Sequence, residues 1–172
     1  MTEPIVTIHK KEDERFLRTK TVPFDFTRHT KKEIAAIVKS MRETMKQANG
    51  VGLSANQIGR KDRFFVAQVP DSQGKQKFYA IFNPEITKMS EELSTVEEGC
   101  LSVPDVFGPT PRAFRVTLEG YDQHERKLKI KAWGLLARVF QHEVDHLNGS
   151  LFVDRAESLT KLVPKEKKES AK

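Results

Sequence analysis

A single cysteine among 172 residues rules out an internal disulfide framework, and a lone thiol favours a reducing compartment. No apolar run approaches the ~18 residues that a membrane-spanning helix needs. The opening stretch, MTEPIVTIHKKEDERF, carries acids and no long apolar segment, so neither a secretory signal nor a transit peptide is expected. Zinc-finger spacing, the paired aromatics of an RNA-binding sheet and a helix-turn-helix pattern are all missing, which argues against sequence-specific nucleic-acid binding. Internal repeats and shifts of composition are missing too. The expectation is one cytoplasmic domain with no membrane attachment.

What is present suffices for a real core. A chain of 19.7 kDa buries roughly two-thirds of the surface it exposes when unfolded, and 37% hydrophobic with 31% charged residues is an ordinary, somewhat highly charged composition. The net charge is +6, and half of it lies in KLVPKEKKESAK, residues 161–172, with five lysines against two glutamates. Such an end is usually solvated; the other reading is a transient electrostatic contact with an RNA-rich partner such as the ribosome. The division expected is a catalytic domain over 1–160 and a basic, flexible tail over 161–172, the whole a monomer, with a dimer left open.

Along the chain, Val22, Pro23 and Phe24 read as anchors in a charged N-terminal stretch. Thr30 followed by Glu33 forms a capping-box pattern, and Ile34, Ile37, Val38, Met41 and Met45 recur at helical spacing before a stop at Asn49-Gly50. RFFVAQV and KFYAIFNPEI, separated by a polar turn, predict a hairpin, and FRVTLEGYD with KLKIKAW predicts another. EELSTVEEGCLSVP reads as short extended pieces between them. Leu135 to Leu147 is helical again, with Asn148-Gly149 as its cap. A helix, a series of strands and a last helix point to a small α+β fold, a mixed or antiparallel sheet around the final helix.

That last helix carries QHEVDH, residues 141–146. Residues four apart share a helix face, so His142 and His146 point together, and Leu135 and Val139 extend their stripe inward. Glu143, about 100° away, can stand beside a metal without ligating it. Two imidazoles and a carboxylate suit metal-assisted hydrolysis, but the pattern also arises by chance on surface helices. Cys100 is the obvious further ligand, a thiolate suited to zinc, iron or cobalt; a lone cysteine is also commonly a buried, inert thiol. Asp145 reads as a structural ion-pair partner.

Three segments in order, GVGLSANQIG (50–59), EGCLS (98–102) and QHEVDH, resemble the signature of the peptide deformylase family, and the similarity runs from the first helix to the end of the motif helix. The resemblance implies a metalloenzyme that removes the N-formyl group from the starting methionine of nascent polypeptides. It implies Cys100, His142 and His146 as ligands of one divalent metal ion per chain, Fe2+ natively in many members, with Zn2+, Ni2+ or Co2+ able to enter purified protein. It implies Glu143 as general base and acid, the Gln57 side chain and the Leu101 N–H as stabilisers of the oxyanion, and Gly52 as a backbone partner of the peptide. Gly50, Val51, Leu53, Gly99, Leu135, Leu136 and Val139 join it as candidates for substrate binding, several of them equally readable as plain core. The family usually has alanine where Ser54 stands, and Phe107 occupies a neighbourhood where some members carry an arginine. Two rivals remain: an amidase acting on other formylated or acylated molecules, and a non-catalytic, ribosome-associated metal-binding protein.

Overall fold

The computed structural model describes residues 2–162. Helix α1 spans Lys11–Leu17, strand β1 Val22–Pro23, helix α2 Lys31–Gln47 and strand β2 Gly52–Ser54. Then come β3 (Asp62–Pro70), β4 (Gln76–Met89), β5 (Leu93–Cys100), β6 (Val103–Ala113), β7 (Arg115–Tyr121), β8 (Lys127–Trp133), helix α3 (Gly134–Leu147) and β9 (Thr160–Lys161). The main sheet runs β1-β3-β4-β7-β8, with β2 also paired to β3, and β5-β6-β9 form a second sheet. The architecture is α+β, as expected, and both predicted hairpins form, β3 with β4 and β7 with β8.

The central strand explains how two helices share one sheet. In β3, Phe64 and Val66 pack with Ile34, Val38, Met41 and Met45 of α2, while Phe65, Ala67 and Val69 pack with Phe140, Val144 and Leu147 of α3. Alternate residues of a strand point to opposite faces, so RFFVAQV, apolar on both, is buried from both sides. Met41, Met45, Phe64 and Phe65 are fully buried, and such a side chain contributes roughly 1.5–3 kcal/mol each.

Helix α2 begins as the sequence predicts. The Thr30 hydroxyl accepts from the Glu33 N–H at 3.2 Å, and Glu33 accepts in return from the Thr30 N–H at 2.7 Å. It ends with Asn49 in the left-handed conformation at φ 56°, while the Gly50 N–H reaches back to the Met45 carbonyl. The left-handed residue is therefore the asparagine, which tolerates that region, and not the glycine beside it. At the end of α3, Gly149 has φ +80°, and a Cβ there would run into the Arg18 backbone. That closes the chain tightly after the motif helix.

Three elements differ from the sequence reading. Helix α1 was not predicted: its seven residues, KEDERFL, bury only Leu17 and are too short to show a period. Of the three anchors, Phe24 is buried but Val22 is 54% exposed, because its short strand β1 lies at the sheet edge, parallel to the start of β3. The pieces around residues 91 to 104 are one long hairpin of β5 and β6, paired from Leu93↔Ala113 to Cys100↔Val103. Prolines 104, 109 and 111 weaken the strand signal of β6, yet they fit because β9 covers its outer side only at Val106 and Phe107. The bond from the Leu162 N–H to the Asp105 carbonyl carries the described fold to Leu162. Most of the expected basic tail, residues 163–172, lies outside the described residues.

Candidate metal centre

The chain brings its one cysteine to the motif helix by a bulge. At the tip of the β5–β6 hairpin the register slips between Gly99 and Cys100, and Asp105 takes a left-handed φ of 62°. A bulge re-aims the side chain next to it, and here Cys100 Sγ comes to 3.1 Å from His146 Nε2. His146 Nε2 in turn lies 3.2 Å from His142 Nε2. The three ligand atoms are all within 4.8 Å of one another.

The surroundings orient each donor. His142 Nδ1 meets Glu98 Oε2 at 3.1 Å, which turns Nε2 toward the sulfur. The Ser102 N–H points at Cys100 Sγ from 3.4 Å. Asn56 donates to the His146 carbonyl at 2.7 Å, while His146 Nδ1 is buried with no hydrogen-bond partner among the described residues, so the polar contacts of that ring are those of its Nε2. Burial works against charge on Cys100, but His146 and His142 outweigh it and hold the thiol well below its usual range. Burial likewise opposes charge on His142, while Cys100 and Glu98 push the imidazolium up to about 10. A thiolate facing two imidazole nitrogens is a donor set that a divalent cation satisfies better than shared protons do. The residues fit a metal.

Glu143 is 3% exposed. Burial pushes its carboxyl up, and His142, His146 and the Ser54 hydroxyl pull against that. Its Oε2 accepts from Ser54 Oγ at 2.6 Å. Gly52 has no side chain for a reason of space: a Cβ there would collide with Glu143 Oε1 and stand 2.7 Å from its Cδ. Gln57 is oriented without ambiguity. Its Oε1 must be the acceptor of the Ser54 N–H at 2.8 Å, so its Nε2 faces Ser102 Oγ at 3.1 Å and Cys100 Sγ at 3.7 Å.

A cleft of about 490 Å³ opens over these groups. Gly50, Val51, Gly52, Gln57, Gly99, Cys100, Leu101, Leu135, Val139, His142 and Glu143 line it, so most of the residues singled out from sequence meet there. Two do not. Leu53 is fully buried among the α2 side chains, and Leu136 packs against the core beneath α3, because each points to the face of its element away from the cleft. Leu135 lines the cleft at its open end and is 51% exposed; the inward stripe of α3 starts at Val139. Phe107 lies across Gly99, where a Cβ would stand 2.6 Å from its ring.

Behind the ligands lies a buried charged layer, of which the sequence points to a part. Glu98 accepts from Arg112 at 2.9 Å and from Arg138 at 2.6 Å as well as meeting His142. Arg112 also reaches Asp145, which pairs with Arg155 at 2.7 Å, so Asp145 is the structural ion-pair partner expected. Arg138 gave no sequence signal, since an arginine one turn before a motif histidine reads as surface; it is buried.

An α+β domain with a cysteine and two histidines around one cleft and a buried glutamate beside them defines a small metal-dependent hydrolase. Comparison with known proteins narrows this. The family model described as polypeptide deformylase matches residues 2–162, and the chain belongs to that family. The peptide deformylase of Halothermothrix orenii is 43% identical over 152 residues, 88% of this chain and 94% of that protein. The one from Synechocystis is 44% identical over 138 residues, 79% of this chain and 73% of its relative. Among solved structures, the Met-Ala-Ser-bound class I type b peptide deformylase of Acinetobacter baumannii superposes with a TM-score of 0.81 at 31% identity, covering 90% of this chain and 98% of that one. The peptide deformylase of Thermotoga maritima gives 0.78 at 33% identity, covering 92% and 99%.

Proposed function

We propose that Cys100, His142 and His146 hold one divalent metal ion and that Glu143 is the base and acid in removing the N-formyl group from the N-terminal methionine of nascent polypeptides. The observation that carries this assignment is the convergence of the only cysteine with both motif histidines, 3.1 and 3.2 Å apart in turn, beside a buried glutamate in an open cleft. Bound there, the ion supplies Lewis acidity, bringing a water's pKa toward neutrality and polarising the formyl group. Glu143 takes the water's proton as the oxygen bonds to the formyl carbon and the carbonyl electron pair moves onto the formyl oxygen. Gln57 Nε2 and the Leu101 N–H donate to that oxygen as its charge grows. Glu143 then gives the proton to the amine nitrogen as the carbon–nitrogen bond breaks, leaving formate and a free N-terminus.

Gly50, Val51, Gly52 and Gly99 form the cleft wall along the peptide, and Val139 with Leu135 provides the apolar lining for methionine. The relative bound to Met-Ala-Ser, a peptide with the sequence of a deformylated product, supports this reading. The metal proposed is ferrous iron, with zinc, nickel or cobalt entering on purification in air, where a thiolate-ligated ferrous site oxidises. No helix among the described residues is long and apolar enough to cross a membrane, and the free thiol of Cys100 suits a cytoplasmic enzyme. It works as a monomer, with a transient ribosome contact through its basic residues. Protein prepared without oxygen should contain about one metal ion per chain by elemental analysis, and its formate release should be highest with iron. A preparation that carries no metal yet turns over would contradict the ligand assignment.

A further inference from the structure

We propose that Ser54 is a positioning residue for Glu143: its hydroxyl ties down Oε2 of the carboxylate and so assigns the proton transfers to Oε1. The inference rests on the reading of Glu143 as the base. From sequence, Ser54 is a small replacement for the alanine usual at this place; in the fold it is fully buried and touches the one carboxylate the reaction needs.

The geometry is that of a clamp. Ser54 Oγ stands 2.6 Å from Glu143 Oε2 and 3.0 Å from the Glu143 carbonyl oxygen. Among the described residues no other group donates a hydrogen bond to this carboxylate. The last torsion of a glutamate is broad, so without a donor the carboxylate plane is free to swing away from the orientation that points one oxygen at the reacting groups. On the other side of the carboxylate is Gly52, whose missing Cβ leaves the space that Oε1 occupies. Gly52 and Ser54 are two apart on β2 and share a face of the strand. One three-residue strand thus supplies both the clearance for Oε1 and the donor for Oε2.

The test compares wild type, Ser54→Ala and Ser54→Thr, loaded with ferrous iron, on a formyl-methionyl peptide with kcat and KM measured separately. Metal content and a crystal structure of Ser54→Ala are read alongside. Ser54→Ala should keep its metal and a KM within twofold, lose about five- to tenfold in kcat, and show the Glu143 carboxylate turned or divided between orientations. Ser54→Thr, which keeps the hydroxyl, should recover most of the kcat; if its extra methyl prevents folding, the kcat and KM split and the carboxylate orientation decide. A kcat within twofold of wild type for Ser54→Ala, an unmoved carboxylate, or a folded Ser54→Thr that recovers nothing would each overturn the proposal. Glu143→Gln in the same assay separates the two levels. If it retains turnover the base assignment itself fails, whereas an inactive Glu143→Gln beside an unaffected Ser54→Ala removes only the positioning role.

Discussion

Gly52 and Glu143 meet where neither can change alone. In sequence, Gly52 belongs to a glycine-punctuated turn after a helix, and its use looks conformational. In the fold it sits in a buried strand with an ordinary backbone, and the constraint is the Glu143 carboxylate filling the space a Cβ would need. Gly52→Ala should therefore retain the fold and the metal but displace Glu143, with a fall in kcat on the order of a hundredfold, measured by steady-state formate release beside elemental analysis. Normal turnover would show that the carboxylate has room to spare. Cys100→Ala should lower metal occupancy sharply, since the only sulfur donor is lost; unchanged occupancy in elemental analysis would remove Cys100 from the ligand set. Residues of this kind were readable as types in a motif. Their reasons were not, because a contact between residues 52 and 143 leaves no mark on local sequence.

At the level of elements, the centre is a join between the β5–β6 hairpin and helix α3, and the join is electrostatic. Glu98, at the end of β5, is locked to Arg112 on β6 and to Arg138 and His142 on α3. Removing Arg112, which is 3% exposed, leaves Glu98 and Asp145 short of a partner in a buried place. Arg112→Ala should cost roughly 3–5 kcal/mol of stability, seen as a lower midpoint in urea; a change under 1 kcal/mol would mean the layer is solvated. Burial raises the Glu98 carboxyl, but the bonds from His142 and Arg112 outweigh it and hold it below its ordinary 4.5. Its contribution to stability is therefore present above about pH 4.5 and is lost as the pH falls below that. Glu98→Gln should flatten that part of the acid-unfolding profile, and an unchanged slope would assign the loss to other carboxylates. The sequence pointed to α2, α3 and two hairpins because their apolar periods are long and their caps are explicit. It concealed the β5–β6 hairpin behind three prolines and α1 behind a short, charged, nearly unburied run.

At the scale of the molecule, β3 is buried between α2 and α3, and the cleft opens where β2, the hairpin tip and α3 converge. The order of the three motifs already suggested the ligands. What brings residues 50–57, 98–102 and 141–146 together is the pairing of β2 on β3 and the bulge at Cys100, both long-range features that no local pattern encodes. Leu53 and Leu136, readable from sequence as cleft or as core, are core; an apolar residue beside a motif reads alike whether it points to cleft or core.

The most direct test of the central claim is formate release from a formyl-methionyl peptide by ferrous-loaded protein prepared without oxygen, with Glu143→Ala measured beside it. The account predicts turnover by the wild type and a loss of roughly 10²–10⁴-fold in the variant at equal metal content. Full metal occupancy with no formate from the wild type, or a variant as active as the wild type, would contradict it.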